Sequence, residues 1–177
     1  MRSVDFILLL APICFLAACK PPPTDADMRR VLPEAEPSFA SDPMPSPDTT
    51  DAVWAYSERG EERLLYGTPG EPALVALECV RSEGSLGALR ITRLAQADEG
   101  AGALLALVGN GHIGRIEVDA SEVGNRLAWE GEEPAADTVW EPLAGPRQLT
   151  LTVPGAGMVT LNPSTLPAEL IETCRGA

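Results

Sequence analysis

The stretch of this chain that most suggests chemistry is Gly109-Asn110-Gly111-His112-Ile113-Gly114, which fits the G-x-G-x-x-G pattern of dinucleotide-binding turns. That chemistry needs a helix to begin at the turn, because the amides of the helix N-terminus hold the pyrophosphate. Residues 115–119 instead alternate polar and apolar side chains, which predicts a strand. Asn-Gly also favours a two-residue β-hairpin turn, since both residues accept positive φ. We therefore predict a hairpin here and no nucleotide site.

No local motif supplies a catalytic or metal-binding group. His112 is the single histidine, and no motif beside it provides the nucleophile and orienting carboxylate that a catalytic histidine needs. The acidic stretch Glu130-Gly131-Glu132-Glu133 lacks the ligand spacing of a calcium loop and predicts a solvated hairpin tip. Trp54, Trp129 and Trp140 are expected in the core or at its rim, with a ligand-stacking surface as the alternative. We predict a protein that is not an enzyme and has no cofactor or metal site.

The amino terminus has the pattern of an export signal. Met1-Arg2 is followed by the largely apolar residues 6–18, which end in the small residues Ala17-Ala18. A helix of that length would rise only about 20 Å, less than the roughly 30 Å hydrocarbon core of a bilayer. A charged start, a short apolar run and small residues at a cleavage site predict a signal peptide over residues 1–18.

Leu16-Ala17-Ala18-Cys19 resembles the lipobox of bacterial lipoproteins. In that family the cysteine is acylated and becomes the first residue of the mature protein, which implies lipidation of Cys19 and a lipid bilayer as partner. Each buried methylene contributes about 0.8 kcal/mol, so several acyl chains anchor a protein without a transmembrane helix. Lys20 follows the cysteine, where aspartate would imply retention at the inner membrane. The resemblance therefore implies the outer membrane, with the domain facing the periplasm.

The cysteines that remain form a single pair. Cys14 leaves with the signal peptide and Cys19 is taken by the lipid, which leaves Cys79 and Cys174 in an oxidising compartment. We predict a disulfide between them, which closes a loop of about 95 residues and adds up to about 4–5 kcal/mol. A metal site with two thiolates is the alternative, although it needs further ligands and the chain has one histidine.

Charge and composition set the classes of partner. The net charge of −13 argues against nucleic acid as a partner, because phosphates repel an acidic surface, and against a polybasic membrane-binding face. A basic protein partner is compatible with this negative charge.

Residues 19–51 are rich in proline and poor in apolar side chains, which predicts a lipidated cysteine followed by a disordered tether, or alternatively a proline-rich recognition ligand. Residues 52–177 are the predicted β-rich globular domain.

Most of that domain has the two-residue period of strands with one wet face. The candidate strands are residues 74–80, 86–94, 103–108, 115–119, 126–130 and 148–153, separated by turn signals. The pattern predicts a mainly β fold, a small antiparallel sandwich or barrel. One C-terminal helix is expected after Ser164 or Thr165 and should end at Gly176. Its apolar face would carry Cys174, so the disulfide would clamp the helix to the sheet.

The layout also resembles that of small envelope lipoproteins of Gram-negative bacteria. The shared features are an early tryptophan strand at Val53-Trp54, a strand ending in Leu77-Glu78-Cys79, and a final helix with Leu170-Ile171-Glu172-Thr173-Cys174. The resemblance implies a non-enzymatic binding or structural β-domain with an envelope protein as partner. The alternative is an inhibitor of a basic cell-wall hydrolase. Membrane-bound lysozyme inhibitors are also lipid-anchored, disulfide-clamped barrels, but their Ser-Gly loop followed shortly by tyrosine has no counterpart here.

Overall fold

Nine antiparallel strands form one sheet within residues 41–58, 60–81 and 87–176, which the computed structural model describes. In chain order the strands are β1 (Val53–Ser57), β2 (Gly60–Gly67), β3 (Val75–Val80), β4 (Ala88–Arg93), β5 (Gly102–Gly109), β6 (His112–Val123), β7 (Arg126–Pro134), β8 (Leu149–Thr152) and β9 (Met158–Leu161). A 3-10 helix (Thr138–Leu143) separates β7 from β8, and one α-helix, α1 (Leu166–Arg175), follows β9. The order in the sheet is β1-β2-β3-β4-β7-β6-β5-β8-β9.

Alternation along the strands gives the sheet an apolar inner face. Leu64 and Tyr66 of β2, Leu77 of β3 and Ile91 of β4 are fully buried, in one core cluster with residues from all the other strands. The first and last parts of the sheet approach each other, because the Tyr66 hydroxyl donates to the Thr160 carbonyl of β9 at 2.9 Å. The sheet is thus a nearly closed barrel. This confirms the predicted mainly β fold and selects the barrel over the sandwich.

The predicted hairpin joins β5 to β6. Gly109 pairs with His112, and Asn110 and Gly111 both have positive φ (53° and 85°), as a tight two-residue turn requires. The side chain of Asn110 donates through Nδ2 to the Pro142 carbonyl at 2.8 Å. Its Oδ1 accepts a hydrogen bond from the backbone N–H of Arg147 at 3.1 Å. The turn therefore positions the chain that follows the 3-10 helix. No helix begins at the G-x-G-x-x-G stretch.

The predicted clamp between the C-terminal helix and the sheet is present. α1 begins after Thr165, and the Ser164 hydroxyl accepts a hydrogen bond from the Leu166 amide. Leu170, Ile171 and Cys174 on its inner face are buried, and Cys174 forms a disulfide with Cys79 of β3. The helix and the 3-10 helix are further joined through the Arg175 side chain, which contacts Glu141 at 3.2 Å and the Ala135 carbonyl at 2.8 Å. Helix, disulfide and sheet form one unit.

Residues 41–52 depart from the predicted tether and form what we call the amino-terminal strap. The Met44 amide donates to Gly155, and the Met158 amide of β9 donates to the Ser46 hydroxyl. At the other end of the strap, the Asn162 side-chain amide donates to the carbonyls of Thr49 at 2.7 Å and Ala52 at 2.9 Å. The folded unit therefore includes residues 41–51 and does not start at 52. Thr49 is buried there by contacts with residues distant in sequence.

Other parts of the chain differ from, or lie beyond, the expectations. Glu130 and Glu132 lie inside β7 and not at a hairpin tip, because both face Arg90 of the neighbouring strand β4. The strands β2 and β9 and the 3-10 helix were not predicted.

The predicted signal peptide, Cys19 and the tether up to residue 40 lie outside the described residues. Within the part of the chain that is described, no helix has the length and apolar character needed to cross a bilayer.

Candidate functional site

The residues singled out by sequence do not meet at one site. His112 is exposed at the first position of β6. Trp54 and Trp129 are each 7% exposed and Trp140 is fully buried, which confirms their expected place in the core or at its rim. In residues 41–58, 60–81 and 87–176, no three His, Cys, Asp or Glu side chains are grouped as a metal site would require.

A groove of about 400 Å³ lies on the outside of the barrel, and we call it the arginine groove. One side is formed by β2 and the chain after it, the other by the turn between β6 and β7. Its lining includes the side chains of Arg63, Leu65, Pro72, Leu94, Val123, Arg126 and Ala128. β3 and β4 lie between β2 and β7 in the sheet, so the groove depends on the curvature of the sheet.

Local sequence explains why these side chains face outward. Leu64 and Tyr66 are fully buried on the inner face of β2, so the residues that alternate with them, Arg63 and Leu65, lie on the outer face. Trp129 likewise belongs to the inner core, which places its neighbour Ala128 outside. Ala128 is nonetheless only 1% exposed, because it lies at the bottom of the groove.

The guanidinium groups of the groove are incompletely paired. Arg63 contacts Glu78 of β3 at 3.6 Å through Nη1, while its buried Nε has no hydrogen-bond acceptor. Arg126 is exposed and, among the described residues, makes no ion pair. Arg90, outside the groove, is better satisfied: it donates to Glu132 through Nε at 3.1 Å and Nη2 at 2.8 Å.

The pKa of Arg90 reflects that pairing. Desolvation lowers the pKa of its guanidinium, but the hydrogen bond to Glu132 and the charges of Glu130, Glu132 and Glu78 outweigh burial and leave the pKa raised. Glu78 is therefore shared between two arginines, Arg63 on one side and Arg90 on the other. Arg126 is therefore the guanidinium of the groove that has no carboxylate partner among the described residues.

A second cavity of about 260 Å³ lies at the barrel end where the strap begins. It is lined by Ser41, Met44, Asp98, Trp129 and Pro154, among others, and the buried Nε1 of Trp129 has no acceptor. Ser41 closes part of this cavity, since its amide and hydroxyl both donate to the Asp98 carboxylate. Chain contacts of the strap therefore form much of its wall.

Next to Trp129 in the sheet is Arg93, a buried cation on the inner face of the barrel. It is 3% exposed, and its two terminal nitrogens donate to the carbonyls of Leu74 at 3.0 Å and Ala156 at 2.9 Å. Burial lowers the pKa of its guanidinium. Arg93 thus joins the loops at this barrel end through its terminal nitrogens, while its buried Nε has no hydrogen-bond acceptor.

The outer faces of β5 and β6 carry an exposed apolar strip. Leu104 and Val108 of β5 are each 45% exposed, and Ile113, which pairs with Val108, is 58% exposed. Grouped apolar side chains on a surface are typical of contact with another molecule.

The geometry of these features supports recognition. The arginine groove places two cations beside apolar side chains, and it was not predicted because Arg63 and Arg126 are far apart along the chain. Comparison with protein-family models, with curated proteins and with solved structures finds no match for this chain.

Proposed function

We propose that the protein is an exported lipoprotein, held on the bilayer by an acylated Cys19, whose β-barrel domain has a non-enzymatic binding role in the cell envelope. The observation that carries the exported location is the Cys79–Cys174 disulfide. Disulfides persist in oxidising compartments and are rare in the bacterial cytosol. The lipobox-like Leu16-Ala17-Ala18-Cys19 supports the lipid anchor.

The proposed location is the outer membrane. The resemblance to the lipobox makes Lys20 the second residue of the mature protein, where aspartate would imply retention at the inner membrane. An acyl anchor followed by a proline-rich segment would hold the barrel away from the lipid surface. The arginine groove and the exposed apolar strip support the binding role, since each offers a surface that a partner could cover.

The test is intact-mass analysis and membrane fractionation of the full chain expressed in a Gram-negative host. We expect a mature chain that starts at Cys19, carries added acyl mass and sediments with membranes. Cys19→Ser should abolish both the acyl mass and the membrane association, whereas Cys14→Ser, inside the predicted signal peptide, should leave both unchanged. A native chain that still starts at Met1 without added hydrocarbon would overturn the proposal.

A matched variant tests the membrane. In a density gradient the native chain should follow the outer membrane, and Lys20→Asp should move it to the inner membrane. Native chain in the inner-membrane fraction would contradict the outer-membrane address while leaving the lipid anchor intact.

A further inference from the structure

The arginine groove contains two guanidinium groups, Arg63 and Arg126, in a chain whose net charge is −13. Arg63 shares Glu78 with Arg90, its Nε is without an acceptor, and Arg126 has no ion pair within the described residues. A guanidinium presents five N–H donors in a fixed fork, which matches the two oxygens of a carboxylate. The unpaired Nε of Arg63 and the guanidinium of Arg126 are therefore donors that an anion could accept from.

Apart from the arginines, the groove is lined by apolar side chains together with the polar residues Ser57 and Asn125. Leu65 and Leu94 are half-buried, Ala128 is at the bottom, and Val123 and Pro72 lie along the sides. The volume of about 400 Å³ falls in the range of small-molecule sites, about 300–1,000 Å³. An anion without an apolar part would leave this surface in water. The lining thus favours a ligand in which the charge is attached to a compact apolar group.

We propose that the groove binds a carboxylate attached to a compact apolar group, with the carboxylate at Arg63 and Arg126 and the apolar group against Leu65 and Leu94. The carboxyl terminus of a peptide and a free aliphatic acid share this chemistry. The inference deepens the proposed binding role by naming a ligand class. It does not depend on the lipid anchor or the membrane address, which fractionation tests separately.

Amide chemical shifts of the isotope-labelled protein provide the test. The probes are acetyl-Ala-Leu with a free carboxyl group, the same dipeptide as its C-terminal amide, and hexanoate, each titrated to millimolar concentrations. We expect the free-acid dipeptide or hexanoate to shift the amides of Leu65, Asn125 and Arg126 in a saturable way. Tighter binding of the dipeptide identifies a peptide terminus as the source, and tighter binding of hexanoate identifies an aliphatic acid.

Arg126→Gln tests whether the contact is at the groove. We expect it to weaken binding by about tenfold or more, because a hydrogen bond to a charged group is lost. The side chain is exposed and makes no ion pair within the described ranges, so the unfolding midpoint should not change. Arg115→Gln is the matched control, with the same loss of charge on the exposed face of β6, outside the groove.

Three results would overturn the inference. One is the absence of saturable shifts with both acids. Another is equal binding of the dipeptide amide, which would remove the role of the carboxylate. The third is an unchanged affinity in Arg126→Gln, or an equal loss in Arg115→Gln, which would place the binding elsewhere or attribute it to overall charge.

Discussion

The phenol oxygen of Tyr66 lies 3.0 Å from the backbone nitrogen of Asn162, from which it accepts a hydrogen bond. The same hydroxyl donates to the Thr160 carbonyl at 2.9 Å. Tyr66 belongs to β2, the second strand of the sheet, whereas Asn162 follows β9, the last one, so one buried side chain connects the two end regions of the sheet. Burial raises the pKa of this phenol. Within the described residues, the gap between the two ends of the sheet is thus bridged by hydrogen bonds of side chains and not by paired strands.

Tyr66→Phe should destabilise the domain by about 1–3 kcal/mol, because it leaves a backbone donor and a backbone acceptor without their partner in a part-buried site. Urea unfolding of both proteins measures the difference. Tyr56→Phe is the control, since Tyr56 is 47% exposed, and we expect little change from it. Equal effects of the two substitutions would contradict this role of the Tyr66 hydroxyl.

Cys79→Ser and Cys174→Ser should each lower the free energy of unfolding by about 2–5 kcal/mol, because each removes the same bridge. The double variant should lose no more than either single one, since the interaction is shared. Denaturant unfolding under non-reducing conditions measures all three. A double variant that loses the sum of both single effects would show that the cysteines stabilise the fold independently of the bond.

The Asp98 carboxyl should titrate below its ordinary pKa of 3.8, because the hydroxyl and the amide of Ser41 donate to its charged form. Because this pKa is lower in the folded than in the unfolded state, the charged carboxylate stabilises the folded protein at pH values above the unfolded-state pKa. That contribution is lost as pH falls through the folded pKa. The strap should therefore loosen at this end in acid, visible as a lower protection factor of the Ser41 amide, which compares its exchange rate with the intrinsic rate at the same pH.

Ser41→Ala isolates that effect in a carboxyl-detected NMR titration. We expect it to move the pKa of Asp98 up toward 3.8 by removing the hydroxyl donor. Asp48 is an internal control, since its pKa is also lowered, but by the amide and hydroxyl of Thr50. A parallel change at Asp48 would indicate a general effect of the substitution and not loss of this contact.

Gly114→Ala should destabilise the domain by about 1–3 kcal/mol through overpacking. A Cβ at this position of β6 would overlap the Val139 carbonyl oxygen in the 3-10 helix, so backbone would have to move. Gly102→Ala is the control in β5, where the new Cβ would meet the Asp119 side chain at 3.1 Å. Thermal unfolding compares the two. A Gly114 variant as stable as the Gly102 variant would contradict close packing of the 3-10 helix on β6.

Features set by neighbouring residues were predictable from the sequence. The hairpin at Asn110-Gly111 needs positive φ at two adjacent positions, and the helix before Gly176 has its cap and apolar face within one short stretch. Both are local, so composition and spacing were enough. The pairing of Cys79 with Cys174 was predictable for a different reason, since the other two cysteines fell in the predicted leader and at the predicted lipid attachment site.

Features that depend on distant contacts were not predictable. β2 was missed because Leu65, next to Leu64, breaks the polar–apolar alternation, and the structure shows Leu65 on the outer face in the arginine groove. The acidic stretch with Glu130 and Glu132 was predicted as a solvated tip, because its partner Arg90 lies on a strand distant in sequence. The groove itself requires a curved sheet, which no local pattern encodes.

The strap has a consequence for self-association. β1 and β9 are the two outermost strands, and such strands leave backbone donors and acceptors that can pair with another molecule and seed aggregates. Here the Met158 amide is occupied by Ser46, and Asn162 bonds the chain just before β1. The strap thereby occupies part of the β9 edge, and Asn162 fixes the chain where it enters β1, which leaves fewer backbone groups of the two outermost strands open to pairing with another molecule.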